Sequence, residues 1–499
     1  MNLDAWLPVL VVASSALPGL VIFALPEQNH RTRTALNLLG SIVKLALIAF
    51  MLFGVARGRT FTTRLPLRTG FDFVLQADAL AMLFVTLSAA LWLVTTVYAI
   101  AYLEDEPNRS RFFGFFSLCV SATAGIAFAG NLITFIIFYE ALTLTTYPLV
   151  VHKGDRASFE AGRKYLAYTL SGGAVLLLAT VWLHTLTGPF EFAEGGTLAG
   201  MGLEERTLVL LFTLFMIGLG VKTALVPLHP WLPAAMVAPA PVSALLHAVA
   251  VVKAGAFGII RVVYEVYGIE LCRDIGVTLP LAIAASVTIV YGSLRAMLQT
   301  ELKKRLAYST VSQLSYIVLG ISVPGAISTL GGLVHLVHQG VMKITLFFCA
   351  GIFAKTLGVH AIRQLDGIGC RMPWTTTAFT VAALGMMGLP PLAGFISKWH
   401  IGSGAVTAGE AWVVGILTAS TLLNAAYFLP PVYAAWFCRR DKPWRELINH
   451  DADGHETARW LLVPALVTAG LTLLFGLLPA APFSPQTWAE IIVRREYAP

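Results

Sequence analysis

The chain has 499 residues, of which 57% are hydrophobic and 12% are charged, and its formal net charge is +7. Soluble domains carry about 25% charged residues, so this composition excludes a soluble enzyme and gives no reason to expect a nucleic-acid partner. The five cysteines are scattered without a CxxC pair, which predicts neither a metal site nor a disulfide framework. We expect no cofactor and no catalytic site within this chain.

Long apolar segments occupy almost the whole sequence. A helix that crosses a bilayer needs about 20 largely apolar residues. Segments of this kind are centred near residues 15, 45, 88, 120, 141, 174, 217, 252, 287, 315, 341, 389, 424 and 469. Between the second and third segments, FTTRLPLRTGFDFVL alternates in polarity and predicts a small β-hairpin. The predicted fold class is an all-α polytopic membrane protein with about 14 transmembrane helices.

The distribution of basic residues predicts the orientation of the chain. When the loops are numbered alternately from an outside N-terminus, about twenty of the 34 Lys and Arg residues fall inside. This asymmetry predicts both termini outside a prokaryotic plasma membrane. The loop with Arg57, Arg59, Arg64 and Arg68 disagrees, and we keep the topology because the predicted hairpin could pack on the outer surface.

Two interrupted helices suggest an internal repeat. Pro227 follows Lys222, and Pro390 and Pro391 precede Lys398. Proline breaks a helix, and broken helices at matching positions of two halves indicate a transport site in an inverted-repeat transporter. The predicted organisation is flanking helices 1–3 (1–105), a first five-helix repeat (106–268), a second, inverted one (269–440), and helix 14 with the C-terminal tail (441–499).

Charged side chains stand in the middle of several of these apolar segments. A charge at bilayer depth costs at least a few kcal/mol, so such residues usually face a protein or water interior. Histidine, which titrates near neutral pH, accompanies them and suits a proton relay. This pattern predicts a path for protons or cations through Glu140, Lys222, His247, Lys253, His335, His338, Lys343 and Lys398.

Each of these residues also has an ordinary structural explanation. Glu140 could be a carboxylate neutralised by burial in a contact between helices. His247 could be a core histidine, Lys253 could form a buried salt bridge, and Lys398 could extend its ammonium to the membrane interface. The functional interpretation pairs Glu140 with Lys222, so that a small movement of the carboxylate changes how firmly the lysine holds its proton.

Three further positions leave alternatives open. His335 and His338, three residues apart on one helix face, could ligate a metal, but no third ligand is evident and a proton relay is favoured. Lys44 is also central in its segment, without a partner that can be named. It could snorkel, contact another subunit or take part in transport.

Three strings resemble one family. The run from Lys222 to Arg261, the string LKKRLAYSTVSQLSY, and EALTLTTYPLV around Glu140 are similar to the antiporter-like subunits of respiratory complex I and Mrp-type cation/proton antiporters. The resemblance covers about residues 75–430. It implies fourteen helices with two inverted five-helix repeats, each containing a broken helix. The chain length and Lys398 look most similar to the Mrp D subunit.

The resemblance also implies roles for individual residues. Glu140 corresponds to the fifth-helix glutamate, Lys222 to its partner on the broken seventh helix and Lys253 to the eighth-helix connecting lysine. The eleventh-helix relay corresponds to His335, His338 and Lys343, and the residue on the broken twelfth helix corresponds to Lys398.

These observations predict a proton-translocating subunit of a multisubunit Mrp-type cation (Na⁺)/proton antiporter. Its partners would be other membrane subunits, the lipid bilayer and protons, with Na⁺ as a second candidate. One alternative is the same role in a complex I-like or hydrogenase complex, and another is proton-driven inorganic-carbon uptake with a zinc subunit. A different class is a membrane scaffold whose charged residues have no function.

Overall fold

The computed structural model describes residues 3–68, 71–104, 106–440, 444 and 456–497. The chain is mostly helical. The principal helices are α1 (Leu7–Phe23), α2 (His30–Ala56), α3 (Ala79–Tyr102), α4 (Arg109–Phe128), α5 (Leu132–Val150), α6 (Arg156–Thr187), α7 (Glu205–Thr223), α8 (Ala240–Tyr267), α9 (Thr278–Met297), α10 (Leu302–Ser322), α11 (Ala326–Leu357), α12 (Pro373–Met387), α13 (Ala393–Thr407), α14 (Trp412–Phe437), α15 (Arg459–Leu477) and α16 (Pro485–Glu496). Short helical turns lie at Leu3–Trp6, Trp231–Ala234, Ala235–Val237, Ile269–Asp274, Ile362–Gln364 and Ile368–Arg371.

The long helices confirm a multi-pass membrane protein. Within the described ranges, twelve helices are long and apolar enough to cross a bilayer. The predicted segment near residue 315 corresponds to α10, whose many polar side chains make it less apolar than these twelve. The predicted segment near 389 corresponds to α12 and α13, each of 15 residues. The total of fourteen crossings and the inverted relation of the two repeats stay predictions.

Both interruptions lie next to the prolines. Helix α7 ends at Thr223, and Ala224 then adopts a left-handed conformation with φ of +62°. Pro227 follows in the connection that leads to the short helix Trp231–Ala234. Pro390 and Pro391 occupy the connection between α12 and α13. Because proline cannot donate a backbone hydrogen bond and clashes with the preceding turn, the chain leaves the helix there.

Helices α8 and α11 form the centre of the molecule. The most apolar stretches of both helices are completely buried by the rest of the chain. In contrast, only about a third of the corresponding stretches of α1 and α14 is buried, which leaves lipid-facing surface on the outside. Helix α8 contains two wide π-helical turns, Leu245–Val249 and Val262–Tyr267. Such turns often accompany functional sites, and the first of them contains His247.

One end of the helix bundle carries the small elements. Strands β1 (Phe61–Arg68) and β2 (Phe71–Ala77) pair antiparallel, which confirms the predicted hairpin. The backbone N–H of Val74 donates to Thr134 Oγ1 at 2.9 Å, which attaches the hairpin to α5. Helix α16 was not predicted, because at 12 residues it is too short for a search for membrane spans. Its Trp488 Nε1 donates to the carbonyl of Ala79 at 2.8 Å, so α16 packs on the start of α3.

Candidate functional site

The ionisable residues predicted from the sequence lie inside the helix bundle. Glu140 is partly buried and Lys398 is 8% exposed, whereas the other six are at most 1% exposed. They extend from α5 and α7 through the central helices α8 and α11 to α13. We call this set, Glu140, Lys222, His247, Lys253, His335, His338, Lys343 and Lys398, the buried row.

Lys222 lies in the last turn of α7 and contacts Tyr139 on α5. Its ammonium donates to the Tyr139 carbonyl oxygen and lies 3.3 Å from the centroid of the Tyr139 ring. The last turn of a helix carries partial negative charge, which also favours a cation. The lysine therefore rests on neutral oxygen and aromatic groups, and its contact residue Tyr139 is next in sequence to Glu140.

Glu140 does not contact Lys222 directly. No ion pair within 4.0 Å joins the two among the described residues, although their charges are close enough to interact. The carboxylate lies against α6 at Gly173, where an added Cβ would fall 2.0 Å from Oε1. Within the described part of the chain, Oε1 has no hydrogen-bond partner. The pair is thus separated in this structure, and the carboxylate occupies space that a side chain at position 173 would fill.

Lys253 connects the two central helices. Its ammonium donates to the carbonyl oxygen of Leu336 on α11 at 2.6 Å. Helix α8 also approaches α7 closely, since a Cβ at Gly255 would lie 2.4 Å from the backbone nitrogen of Thr223. Thr223 follows Lys222 and Gly255 lies two residues after Lys253. The close contact therefore brings the helical turns of the two lysines next to each other.

His247 lies in the first π-helical turn of α8 with an unusual environment. Its ring stacks on Phe347 of α11, with centroids 4.6 Å apart. Neither ring nitrogen has a hydrogen-bond partner among the residues the structure describes. Buried polar atoms are nearly always satisfied by protein or ordered water. Both nitrogens of His247 therefore mark positions where water is expected.

The two histidines of α11 have different aromatic and polar neighbours. His335 Nδ1 and Ser397 Oγ of α13 are 2.8 Å apart, and the ring lies close enough to Lys253 and Lys398 to interact with both charges. His338 instead stacks on Phe475 of α15, with centroids 5.9 Å apart. Among the described residues, no group of three or more His, Cys, Asp and Glu side chains could hold a metal ion. His335 is thus the histidine that joins the lysines.

Lys343 faces α10 and Lys398 faces the end of α12. Lys343 donates to Ser309 Oγ at 2.6 Å. Lys398 donates to the carbonyl oxygens of Met386 and Met387, each at 3.0 Å. These carbonyls belong to the last turn of a helix, where backbone acceptors lack partners within the helix. The Lys398 ammonium is therefore directed into the break between α12 and α13.

Sequence reasoning missed several polar residues that surround the buried row. Ser397 contacts His335, and Tyr316 has its ring centroid 5.0 Å from the Lys398 ammonium. Gln313 and Gln339 are completely buried, and their side-chain amides have no partner within the described ranges. Polar residues inside apolar helices were the available signal, and the two glutamines occur in the strings SQLSY and HLVHQG.

One histidine outside the membrane helices is also buried. His229 lies in the connection after α7, is 6% exposed, and packs edge-on against Tyr291 with centroids 5.0 Å apart. Burial lowers the pKa of His229 to about 4, and the positive charges of Arg295 and Lys164 act in the same direction. His229 is therefore neutral at physiological pH.

One protein family matches more than half of the chain. The family described as "NADH:quinone oxidoreductase/Mrp antiporter, TM" matches residues 129–424. The matched region includes both helix breaks and every residue of the buried row. The chain therefore belongs to this family, as its resemblance indicated.

Relatives and solved structures agree with this assignment. NADH-quinone oxidoreductase subunit N of Desulforudis audaxviator is 33% identical over 87% of this chain and 86% of its own. The Na(+)/H(+) antiporter D subunit of Bacillus subtilis is 26% identical over 82% of this chain and 80% of its own. A chain of the Mrp complex from a Dietzia species shares the fold, with a TM-score of 0.86, 20% identity, and coverage of 100% and 98%.

Proposed function

We propose that this chain is the proton-translocating membrane subunit of a multisubunit Mrp-type cation/proton antiporter, with Na⁺ as the candidate exchanged ion. The observation that carries the proposal is the environment of four lysines of the buried row. Lys222, Lys253, Lys343 and Lys398 each hydrogen-bond to a carbonyl or hydroxyl oxygen. No carboxylate pairs with them within 4.0 Å among the described residues.

Lysines in such an environment are suited to exchange protons. An ammonium paired with a buried carboxylate is fixed in its charged form, because separating the two leaves an uncompensated charge. A lysine held only by neutral oxygens can release its proton to water and accept another without losing a strong partner. In the proposed path a proton leaves Lys222 and is accepted by Lys253. It then passes through the cluster of His335, His338 and Lys343 and reaches Lys398.

Water completes this path. The ring nitrogens of His247, Nε2 of His335, and the amides of Gln313 and Gln339 are buried and lack partners among the described residues. A buried water typically makes about three hydrogen bonds to such groups. Water molecules at these positions would join the lysines into a hydrogen-bonded chain through the centre of α8 and α11.

Glu140 is proposed to control the first step. When its carboxylate approaches Lys222, the ammonium is stabilised and the proton is held. When the carboxylate rests against Gly173, as in this structure, the attraction is weaker and the proton can move on. The neighbouring subunits, which we expect to be other membrane proteins, would move the carboxylate or respond to the moving charge. In the proposed orientation both termini lie outside a prokaryotic plasma membrane.

A second candidate function is the same proton path in a redox-driven complex. The 33% identity to an NADH-quinone oxidoreductase subunit favours it, since this relative exceeds the antiporter subunit in identity. Hydrogenase-linked and carbon-uptake complexes are further variants, and a scaffold without transport is the contrasting class. Affinity purification of the tagged chain from its native membrane separates them. If only small hydrophobic subunits co-purify, the antiporter is supported. If iron–sulfur or zinc proteins co-purify, the chain belongs to a redox or carbon-uptake complex instead.

Transport by variants tests the path itself. Lys222→Met, in the purified complex within proteoliposomes, should abolish proton movement while assembly is retained. Lys355→Met is the matched control. Lys355 lies in the last turn of α11, outside the buried row, and donates to the carbonyl oxygen of Tyr102 at the end of α3. Normal transport by an assembled Lys222→Met complex would favour the scaffold.

A further inference from the structure

A buried lysine outside the buried row has no hydrogen-bond partner in the part of the chain that the structure describes. Lys44, midway along α2, is 1% exposed, and its ammonium lies 5.3 Å from the ring centroid of Trp92 on α3. Among the described residues, no atom hydrogen-bonds to Nζ. Because the side chain is enclosed by its own chain, Lys44 neither snorkels to the interface nor faces another subunit. A leucine would avoid the free-energy cost of a lysine at this depth.

Polar side chains on α2 connect Lys44 to one end of the bundle. Arg33, Asn37, Ser41 and Lys44 are all buried and share one face of the helix, at intervals of four, four and three residues. Arg33 donates to Ser110 Oγ at 2.8 Å. With a rise of 1.5 Å per residue, Lys44 lies roughly 16 Å beyond Arg33 along the helix. A polar seam therefore runs from the start of α2 to its middle.

The seam continues on α4 and α3. Ser117 of α4 donates to Asn37 Oδ1 at 3.2 Å. On α3, Ser88, Trp92 and Thr96 are spaced by four residues, so they share a face with the ring that approaches Lys44. Their side-chain polar atoms are buried and without partners in the described part of the chain. Unsatisfied polar atoms in line with one another indicate positions for ordered water.

A cavity opens at the Arg33 end of this seam. It has a volume of about 710 Å³. One part of its lining is polar, with His30, Arg33, Glu104 and Arg109, and the rest is apolar, with residues such as Val97, Phe113 and Trp460. We call this cavity the vestibule, and its charged side chains give water a polar surface to enter along. Arg33 belongs to both the vestibule and the seam, which makes the two continuous.

We propose that Lys44 is a proton-binding site that water reaches from this vestibule along the seam, separately from the buried row. In its neutral form the amine accepts a proton from a hydronium ion in this water, which leaves a water molecule, and the resulting ammonium is stabilised by the Trp92 ring. The site adds a second point of proton entry within the first three helices. The inference rests on the proposed function only for the transport measurement below.

Access of water can be measured without transport. Ser41→Cys and Ile42→Cys, each with Cys370 and Cys438 replaced by serine, place a thiol at the same depth of α2. Ser41 faces the seam, whereas Ile42 is 54% exposed on the lipid side. Ag⁺ is applied to the assembled complex in vesicles, and unreacted thiols are alkylated after denaturation and counted by mass spectrometry. We expect Ag⁺ to block the thiol at position 41 about tenfold faster or more, because hydrocarbon excludes ions. Equal rates would overturn the aqueous route.

Transport tests the proton-binding role. Lys44→Met should slow proton movement by the assembled complex about a hundredfold or more, the range for removing one proton-transfer group. Lys222→Met is measured in parallel. Loss in Lys222→Met with normal transport in Lys44→Met overturns the present inference and leaves the proposed function standing. Normal transport in both variants overturns the present inference and the proposed function.

Discussion

Replacing Glu140 by glutamine tests whether the carboxylate acts on Lys222 by its charge. Glutamine preserves the shape of the side chain and removes the charge. The two groups are more than 4.0 Å apart, since no ion pair forms between them. With an effective dielectric constant of about 20, their attraction is about 4 kcal/mol at 4 Å and about 3 kcal/mol at 6 Å. Since about 1.4 kcal/mol corresponds to tenfold, the charge changes the proton distribution by on the order of a hundredfold.

The assay is the initial rate of proton movement by the complex in proteoliposomes. We expect Glu140→Gln to lower this rate strongly, while the amount of assembled complex stays normal, because Oε1 has no partner to lose within the described residues. Glu140→Asp, which keeps the charge on a shorter side chain, should retain part of the rate. An assembled Glu140→Gln complex with the wild-type rate would refute the electrostatic role.

Three other changes give separate expectations. Gly173→Ala places a methyl group 2.0 Å from the resting carboxylate and should lower transport, whereas Gly415→Ala, with nothing within 4 Å, should not. Ser309→Ala removes the hydroxyl that accepts from Lys343, a loss of about 1.5–3 kcal/mol for a bond to a charged group, and should slow transport measured in the same assay. His229, with its pKa lowered from 6.5 to about 4, should make the Tm fall as the pH drops through that window, because the unfolded chain binds the proton first. The Tm of His229→Asn should vary less with pH over the same window. Parallel curves of Tm against pH for the wild type and the variant would contradict this.

The elements that the bilayer itself imposes could be predicted from the sequence. A membrane span must be long and apolar, so the helices could be predicted from composition. The prolines beside Lys222 and Lys398 marked both breaks, whereas Pro18, Pro148 and Pro464 lie inside continuous helices, so a proline alone does not identify a break. The hairpin β1–β2 followed from its alternating polarity. Helix α16 was missed because its 12 residues satisfy neither criterion.

The burial of the candidate site residues could be predicted from the sequence, but their contacts could not. Charged residues at bilayer depth are conspicuous in any sequence, which is why the buried row could be selected. Their partners are backbone carbonyls such as those of Leu336 and Met386, which every residue carries and no pattern distinguishes. The rotation and depth of each helix decide which carbonyl is reached. For the same reason the separation of Glu140 from Lys222 was not foreseen.

Lys253 offers the sharpest test of the proposed proton path, because it lies between the two broken helices and joins α8 to α11. The measurement is proton movement by the purified complex carrying Lys253→Met, with assembly verified and Lys355→Met as the control. We predict that Lys253→Met stops proton movement and that the control transports normally. Wild-type proton movement by an assembled Lys253→Met complex would contradict a path through the buried row.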